Sequence, residues 1–150
     1  MKITKDKNIL AKQSKNCTVN EYPFYKGKLE YIVKQYNGKM QGCSCIQIGF
    51  PVKCFVRRNP RTKEFTYVFN PRVLFKFGAR LSYEGCLSIK DRHFVWRPLL
   101  VFVEYYDEHN TKHKELLGWK KTRIFMHEMD HLAGLTIEDK GRFKYVNFNA

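Results

Sequence analysis

The stretch HEMDHL, residues 127–132, places two histidines four positions apart, with a glutamate directly after the first. On a helix this spacing brings His127 and His131 to one face, within reach of a single metal ion. Glu128 would reach the open side of that ion and act as a general base without ligating it. Two solvated surface histidines are the alternative interpretation, and a helical context favours the metal.

The residues around this stretch predict such a helix. We expect it to run from about Leu117 to Ala133, with Gly134 placed to end it. Its apolar positions follow a helical period: Ile124, Phe125, Met129 and Leu132. A second amphipathic helix is predicted over residues 21–36, although Gly27 weakens its first turn.

Between these helices the chain is rich in Val, Ile, Phe and Tyr and is interrupted by turn residues, which is typical of short β-strands. The predicted strand segments are 43–50, 53–58, 64–71, 72–82, 84–89 and 99–108, with hairpin connections at 57–65 and 107–114. A chain of 150 residues fits one domain, and 43% hydrophobic residues supply a core. We therefore expect a single α+β domain over residues 1–150, with antiparallel strands and one late helix that carries the histidines.

A histidine pair leaves a catalytic metal site one protein ligand short. Glu138 and Asp139 lie only seven and eight residues after His131, which is closer than the downstream glutamate of thermolysin-like enzymes. Cys86 is the better third ligand, because a thiolate beside a divalent metal is deprotonated. It follows Gly85 in YEGCLS, residues 83–88, where a glycine at a strand end permits a sharp backbone path. A small buried cysteine without a chemical role is the alternative.

Together, YEGCLS and HEMDHL resemble the second and third signature motifs of the peptide deformylase family. MQGCSCIQIG, residues 40–49, resembles the first motif, G-x-G-L-A-A-x-Q-I-G, with these positions in register: Gly42, Gln47, Ile48 and Gly49. The chain departs from that motif at Met40, which replaces the first glycine, and at Cys43-Ser44-Cys45, which replaces Leu-Ala-Ala. At the variable position, Ile46 replaces the usual proline or threonine. FNP at 69–71 and GWKKTRIFMHE at 118–128 also resemble the family, so the likeness covers about residues 8–139.

This resemblance implies antiparallel β-sheets around a central metal-binding α-helix. It implies a hydrolase that removes the N-formyl group from nascent polypeptides starting with formyl-methionine. The expected cofactor is one divalent metal, Fe2+ physiologically, for which Zn2+, Ni2+ or Co2+ can substitute. With Cys86, His127 and His131 as ligands, water at the fourth position would attack the formyl carbon as hydroxide. Glu128 would take the proton and deliver it to the departing amine.

The resemblance also implies roles for residues around the metal. The backbone N–H of Leu87 and the side-chain amide of Gln47 would stabilise negative charge on the formyl oxygen. Glu84 and Arg97 would form an ion pair that fixes the cysteine loop, with an unrelated exposed pair as the alternative. An extended peptide would pair with the backbone at the first-motif glycine. The expected substrate-binding residues are Gly42, Cys43, Gly85 and Ile124.

Two other functions stay open from the sequence. A non-catalytic binding protein would keep the metal for structure, but such a site needs neither Glu128 nor Gln47. A peptidase would use the same helix, but a cysteine ligand within EGCLS disfavours it. Cys43 and Cys45 alternate on a predicted strand and share one face, where packing is favoured over a second thiolate site.

The net charge is +14, and a large positive field attracts polyanions. A solvated lysine-rich surface accounts for this charge, and contact with the ribosome or ribosomal RNA is the alternative.

An odd count of five cysteines, without a secretion signal, indicates reduced thiols. No apolar run approaches the roughly 18 residues that span a bilayer. We expect a cytoplasmic monomer with no membrane association, rather than a protein of an organelle matrix.

The chain ends about 19 residues after His131. Bacterial members of the family often continue into a long C-terminal helix that helps them dock on the ribosome. We expect that helix to be missing, as in the short forms of phage and virus genomes, which would act in the host cytoplasm.

Overall fold

The computed structural model describes residues 2–36 and 39–141. Three α-helices are present in this part of the chain: α1 (Lys7–Leu10), α2 (Tyr22–Gln35) and α3 (Trp119–Leu132). The strands are β1 (Gly42–Ser44), β2 (Cys54–Arg58), β3 (Phe65–Phe77), β4 (Arg80–Cys86), β5 (Ile89–Arg97), β6 (Leu100–Tyr106) and β7 (Lys112–Leu117). Single 3-10 turns lie at Val19–Glu21 and Cys45–Ile48.

The strands form two antiparallel sheets. The larger has the order β1-β2-β3-β6-β7, and β4 and β5 pair only with each other. The pairing of β3 with β6 shifts register between Phe69 and Arg72, next to Asn70, whose φ is 51°. The Asn70 side chain accepts a 2.7 Å hydrogen bond from the N–H of Cys17, which attaches the N-terminal segment to the larger sheet.

Helix α3 packs between elements of both sheets, with contacts to β1, β2, β5, β6 and β7. Its fully buried Phe125 meets Phe55 of β2 edge-to-face, with ring centroids 5.1 Å apart. Helix α2 covers another part of the larger sheet, where Tyr22 stacks on Phe69 at 4.0 Å. The packing of Phe125 on β2 fixes the rotation of α3, and with it the direction of the helix face that carries the histidines.

Helix α3 has clear boundaries. In its first turn, the hydroxyl of Thr122 donates a 2.9 Å hydrogen bond to the carbonyl of Leu117, the residue that ends β7. It ends before Gly134, where φ is +81°, a left-handed conformation that favours glycine. A Cβ atom at Gly134 would also collide with the carbonyl of Ala11. The end of the helix is therefore determined both by backbone conformation and by the close approach of the N-terminal segment.

The α+β class and the central helix are confirmed. Predicted helices at 21–36 and 117–133 correspond to α2 and α3 within two residues at each end. The strand predicted over 43–50 is wrong beyond Ser44, because residues Cys45–Ile48 form a 3-10 turn that Gly49 ends with φ +94°. Cys43 and Cys45 therefore do not share a strand face.

Two further differences concern the strands. The segments predicted separately at 64–71 and 72–82 belong largely to one long strand, β3, which crosses Pro71. Strand β5 was not predicted beyond Ile89, because its first half is polar. The connections at 57–65 and 107–114 contain the β2–β3 and β6–β7 turns, as predicted.

Within the described residues, no helix is long and apolar enough to cross a membrane. All five cysteines are free, and Cys17, Cys43, Cys45 and Cys54 are buried. The prediction of a single domain over 1–150 stays a prediction. The predictions about the C-terminal end fall on residues 142–150, which lie outside the described residues.

Candidate active site

Helix α3 and the end of β4 bring together three side chains with metal-ligand chemistry. One nitrogen or sulfur atom from each of Cys86, His127 and His131 lies within 4.8 Å of the others. Sγ of Cys86 is 3.4 Å from Nε2 of His131, and the two imidazole centroids are 5.1 Å apart. Strand β4 is irregular between Glu84 and Cys86, where its last residue meets the helix. The histidine spacing on one helical face and this strand end together produce the cluster.

The surroundings of the two histidines shift their pKa values in opposite directions. Burial lowers the pKa of His131 well below its usual value, so this imidazole is neutral, as metal binding requires. Burial also acts to lower the pKa of His127, but hydrogen bonds to Cys86 and Glu84 outweigh it and raise the pKa to about 10. Positive charge is therefore favoured between that sulfur and that carboxylate. One sulfur and two imidazole nitrogens are a donor set that fits a divalent zinc or iron ion.

A buried ion-pair network orients His127. Nδ1 of His127 lies 3.0 Å from Oε1 of Glu84, which leaves Nε2 for an ion. Arg97 forms a bidentate pair with Glu84, at 2.7 and 2.8 Å, and donates to Asp130 at 2.5 Å. Burial acts to raise the pKa of Glu84, but hydrogen bonds from Arg97 and His127 outweigh it and lower the pKa to about 2. An ionised carboxylate behind a ligating imidazole fixes its tautomer and ring orientation.

Glu128 lies beside the cluster, 3% exposed. Its Oε1 accepts a 2.8 Å hydrogen bond from the hydroxyl of Ser44. Burial raises the pKa of Glu128, although the positive charge of His127 and the hydrogen bond from Ser44 oppose the shift. A raised pKa makes this carboxyl group a better proton acceptor than an exposed glutamate.

Gln47 is fixed in the wall of the site by the 3-10 turn. Its Oε1 accepts a 2.9 Å hydrogen bond from the N–H of Ser44, and its Nε2 donates to the hydroxyl of Ser88 at 3.1 Å. The same Nε2 lies 3.6 Å from Sγ of Cys86. The amide group therefore points its donor nitrogen towards the proposed metal ligands. Leu87 directly follows Cys86 and lines the same cavity.

A cavity of about 670 Å³ opens over the cluster. The predicted substrate-binding residues Gly42, Gly85 and Ile124 line it, and Cys43 does not. The Cys43 side chain is fully buried in the hydrophobic core, because strand alternation points it away from the face of Gly42. The Cys43 side chain therefore does not reach the cavity, and substrate binding by the backbone of Cys43 stays a prediction.

Gly85 also differs from the expectation. Among the described glycines, positive φ angles occur at Gly49, Gly78 and Gly134, so Gly85 continues β4 without a left-handed turn. At position 42, steric contacts explain why the residue is glycine. A Cβ atom there would lie 2.7 Å from Oε2 of Glu128 and 2.9 Å from the carbonyl of Val56. The close approach of β1 to Glu128 therefore requires glycine at position 42.

Three residues of the site were missed from the sequence: Ser44, Ser88 and Asp130. Asp130 had a usable signal, since it lies three positions after His127 on the same helical face. Ser44 and Ser88 had none beyond being polar within apolar stretches. The rejected ligand candidates lie elsewhere: Glu138 pairs with Lys7, and Asp139 accepts hydrogen bonds from Thr136. No second group of metal-binding side chains occurs among residues 2–36 and 39–141.

Comparison with known proteins connects this site to one family. A family model described as polypeptide deformylase matches residues 1–144. The peptide deformylase of Christiangramia forsetii is 29% identical over 154 residues, which cover 88% of this chain and 76% of that protein. The peptide deformylase of Flavobacterium psychrophilum is 32% identical over 122 residues, covering 70% of this chain and 63% of that protein.

Solved structures of peptide deformylases have the same fold as this chain. A crystal structure of peptide deformylase from Plasmodium falciparum has a TM-score of 0.83 and 27% identity, covering 98% of this chain and 91% of that chain. A probable peptide deformylase from synechococcus phage S-SSM7 has a TM-score of 0.82 and 23% identity, covering 93% of this chain and 99% of that chain. At that identity the phage structure shows a shared fold alone.

Proposed function

Because the chain belongs to the polypeptide deformylase family of enzymes, we propose that it removes the formyl group from formyl-methionine at the start of nascent polypeptides, releasing formate. The observation that carries this proposal is the group of Cys86, His127 and His131, with ligand atoms within 4.8 Å of one another, next to buried Glu128. A structural metal site needs no buried carboxyl group with a raised pKa beside it. This feature favours the enzyme over a metal-holding binding protein.

The proposed ligands of a single divalent metal are Cys86, His127 and His131. Fe2+ is the proposed physiological ion, with Zn2+, Ni2+ or Co2+ able to substitute. When bound, such an ion supplies Lewis acidity that activates water and polarises a carbonyl oxygen. Glu84 holds His127 in the required tautomer, and Arg97 keeps that carboxylate ionised.

Glu128 is the proposed proton carrier. It accepts the proton of the attacking water and then donates it to the departing amine, a role worth roughly 10²–10⁴-fold in rate. The Ser44 hydroxyl holds Oε1 at 2.8 Å, so the carboxyl group has a fixed direction. Its burial raises the pKa of this carboxyl group above the usual value, which favours proton uptake.

The formyl oxygen carries the developing negative charge. We assign its stabilisation to Nε2 of Gln47 and the backbone N–H of Leu87, both at the cavity wall. Removal of one such donor typically costs about 3–4 kcal/mol of transition-state stabilisation. Gln47 is suited to this role because hydrogen bonds from Ser44 and to Ser88 fix both ends of its amide.

The peptide backbone is proposed to bind as an added strand. Strand β1 lies at the edge of the larger sheet, and Gly42 of β1 and Gly85 of β4 line the cavity without side chains of their own. Ile124, one turn before His127 on α3, supplies an apolar contact for the methionine side chain. These contacts orient the formyl group towards Cys86.

The proposed location is the cytoplasm, or the host cytoplasm for a phage- or virus-encoded chain, and the proposed oligomeric state is a monomer. The net charge of +14 supports contact with the ribosome or ribosomal RNA. Such contact would be electrostatic, so co-sedimentation with ribosomes should fall steeply as salt is raised. Salt-independent co-sedimentation, or none at low salt, would argue against it.

The experiment that tests the function is anaerobic turnover of formyl-Met-Ala-Ser by protein loaded separately with iron, nickel, cobalt or zinc. We expect formate release, with iron among the active forms. Acetyl-Met-Ala-Ser is the matched control peptide and should not be hydrolysed. Absence of formate with every metal would refute the proposal.

A further inference from the structure

Basic residues from several elements line the cavity above the proposed metal site. Five basic residues line it, which we call the cationic rim: Lys39, Lys63, Arg92, Lys120 and Arg123. Its acidic lining residues, Glu84 and Glu128, are both buried, and Glu84 is paired with Arg97. In the part of the chain that the structure describes, no side chain of the cationic rim lies within 4.0 Å of a carboxylate oxygen. Among the described residues, the rim therefore carries positive charge without a carboxylate counterion.

Two of these cations are held next to each other. Arg92 of β5 and Arg123 of α3 both donate to the backbone carbonyl of Tyr83, at 3.1 and 3.3 Å. The guanidinium of Arg92 also lies over the Tyr83 ring at 4.9 Å, and that of Arg123 over the Trp119 ring at 5.7 Å. Because one carbonyl and two rings hold them, the side chains are ordered before any ligand arrives. Like charges this close are stabilised when an anion joins them.

The position of Arg92 connects this pair to the substrate strand. Its Nη1 is 3.2 Å from the place that a Cβ atom on Gly85 would occupy. Gly85 immediately precedes Cys86, so Arg92 lies along the strand that leads to the proposed metal ligands. A peptide that pairs with this strand passes beside the guanidinium.

The N-terminal end of α3 adds to the positive potential. Lys120 is the second residue of this helix, and its first turn contains no acidic residue. The aligned peptide dipoles place a partial positive charge at the same end. From the β1 side of the cavity, Lys39 and Lys63 supply the remaining cations. Both walls of the cavity mouth therefore present the same sign of charge, which low-dielectric walls focus into the cleft.

From this arrangement we propose that the cationic rim binds acidic side chains in the residues that follow methionine, so that the enzyme prefers formyl-methionyl peptides continuing with Asp or Glu. The inference rests on the proposed function and names its substrate class. With the formyl group at Cys86 and Glu128, which are at the inner end, the following residues leave past the exposed Lys39, Arg92 and Lys120. An extended chain advances about 3.3 Å per residue, so the first two residues after methionine lie within reach of the rim.

The expected preference is moderate, because the rim is open to water. A single exposed ion pair contributes roughly threefold, so two such contacts multiply to about a tenfold preference. Salt screens exposed charges over about 10 Å at 0.1 M and about 3 Å at 1 M, so the preference should shrink with ionic strength.

The test compares formyl-Met-Asp-Glu with formyl-Met-Asn-Gln, which have nearly the same shape and differ in charge. We expect kcat/KM of the metal-loaded protein to be about tenfold higher for the acidic peptide at low salt. The variant Arg92→Gln/Lys120→Gln should lose most of this ratio. The control Lys12→Gln/Lys76→Gln removes the same charge at exposed positions outside the cavity and should keep it. Equal kcat/KM for the two peptides, or an equal ratio in both variants, would overturn the proposal.

A second measurement separates this proposal from the proposed function. Acetyl-Met-Asp-Glu and acetyl-Met-Asn-Gln are not expected to be hydrolysed, so calorimetry can compare their affinities on the same metal-loaded protein. If neither formyl peptide releases formate, the proposed function fails, and the affinity ratio still decides the role of the rim. The proposed role of the cationic rim is supported if the acidic peptide binds more tightly and this difference is lost in Arg92→Gln/Lys120→Gln. Equal affinities of the two peptides contradict that role.

Discussion

At Ser44, this chain carries a hydroxyl group where the motif that it resembles has alanine. The hydroxyl donates to Oε1 of Glu128 at 2.8 Å, and both residues are buried. A hydrogen bond to an ionised carboxylate favours the charged form and also fixes its direction. Ser44 is therefore a positioning residue for the proposed proton carrier, and sequence similarity alone does not reveal this role.

The first prediction is that Ser44→Ala weakens catalysis without unfolding the protein. Loss of a hydrogen bond to a carboxylate raises the pKa of Glu128 further, so the acid limb of the kcat/KM profile should move to higher pH. We expect kcat at neutral pH to fall about tenfold, since a charge-assisted hydrogen bond is worth about 1.5–3 kcal/mol. The measurement is the pH dependence of formate release. The control is Ser14→Ala, because Ser14 is buried and its hydroxyl has no partner among the described residues. This variant should leave the pH profile unchanged. An unmoved acid limb in Ser44→Ala would contradict the positioning role of Ser44.

The second prediction concerns Arg97, which pairs with Glu84 and Asp130 inside the protein. Arg97→Met removes the buried cation between Glu84 and Asp130, so the free energy of unfolding should fall by about 3–5 kcal/mol. Arg72→Met is the control, since Arg72 is 71% exposed and its pair with Glu104 is 3.4 Å long. Its effect should stay within about 1 kcal/mol. Urea unfolding of both variants measures the difference, and similar small losses would show that the buried pair is not stabilising.

The same pair predicts a pH dependence of stability. The pKa of Glu84 is lowered from 4.5 to about 2 in the folded protein. Its contribution is therefore fully present above the unfolded value and is lost as pH falls from about 4.5 towards 2. In Arg97→Met this loss should be smaller, because the cation that lowers the pKa is gone.

At the scale of elements, the site depends on the close approach of β1 to α3. Gly42→Ala is predicted to disturb this approach, because the added Cβ would lie 2.7 Å from Oε2 of Glu128 and 2.9 Å from the carbonyl of Val56. The carbonyl belongs to β2, so backbone as well as side chain must move. A displacement of about 1 Å at a reacting group can cost about 100-fold in rate, and we expect a loss of kcat of that order. Overpacking should also lower the free energy of unfolding by about 1–3 kcal/mol.

Gly27→Ala is the control for this substitution. Gly27 lies inside α2, and no atom lies within 4 Å of an added Cβ. Alanine should stabilise the helix by about 0.5–1 kcal/mol and leave formate release unchanged. Equal activity of the two alanine variants would show that the contact between β1 and Glu128 is unimportant.

The helices could be predicted from the sequence, and some of the strands could not. Apolar residues at helical spacing identified α2 and α3, and Gly134 marked the end of α3. The 3-10 turn at Cys45–Ile48 has no such period, and it forms because Gln47 accepts the N–H of Ser44. Strand β5 was missed beyond Ile89 because residues 90–93 are polar, and its large apolar residues, Phe94 and Trp96, lie exposed opposite β4 rather than in the core.

For the candidate site, the sequence was sufficient for residues whose spacing is local. His127, Glu128 and His131 are neighbours on one helix, so the period alone groups them. The contact of Gln47 with Ser88 joins residues 41 positions apart, and only the packing of the 3-10 turn against the β4–β5 turn creates it. Long-range hydrogen bonds of this kind depend on tertiary structure and leave no periodic signal.

At the scale of the whole molecule, the proposed ligands join the end of β4 to α3, so metal binding should stabilise the fold. A ligand present at about a thousand times its dissociation constant adds about 4 kcal/mol to the free energy of unfolding. We predict one metal per chain, a higher Tm with metal than after chelation, and a shell of one sulfur and two nitrogens in X-ray absorption. His131→Ala should lose the metal and its effect on Tm. His109→Ala, at an exposed turn, should keep both, and a metal shell without sulfur would contradict the ligand set.

Glu128→Gln tests the central claim most directly, because it separates an enzyme from a metal-holding protein. The amide keeps the size of the side chain and cannot accept the proton, and none of the three proposed ligands changes. The measurement is metal content and formate release from formyl-Met-Ala-Ser on the same preparation. The account predicts about one metal per chain and turnover reduced by at least 10²–10⁴-fold, the usual contribution of a positioned acid–base group. Loss of the metal would make Glu128 a ligand or a structural support, and retention of both metal and turnover would assign the proton transfer to another group.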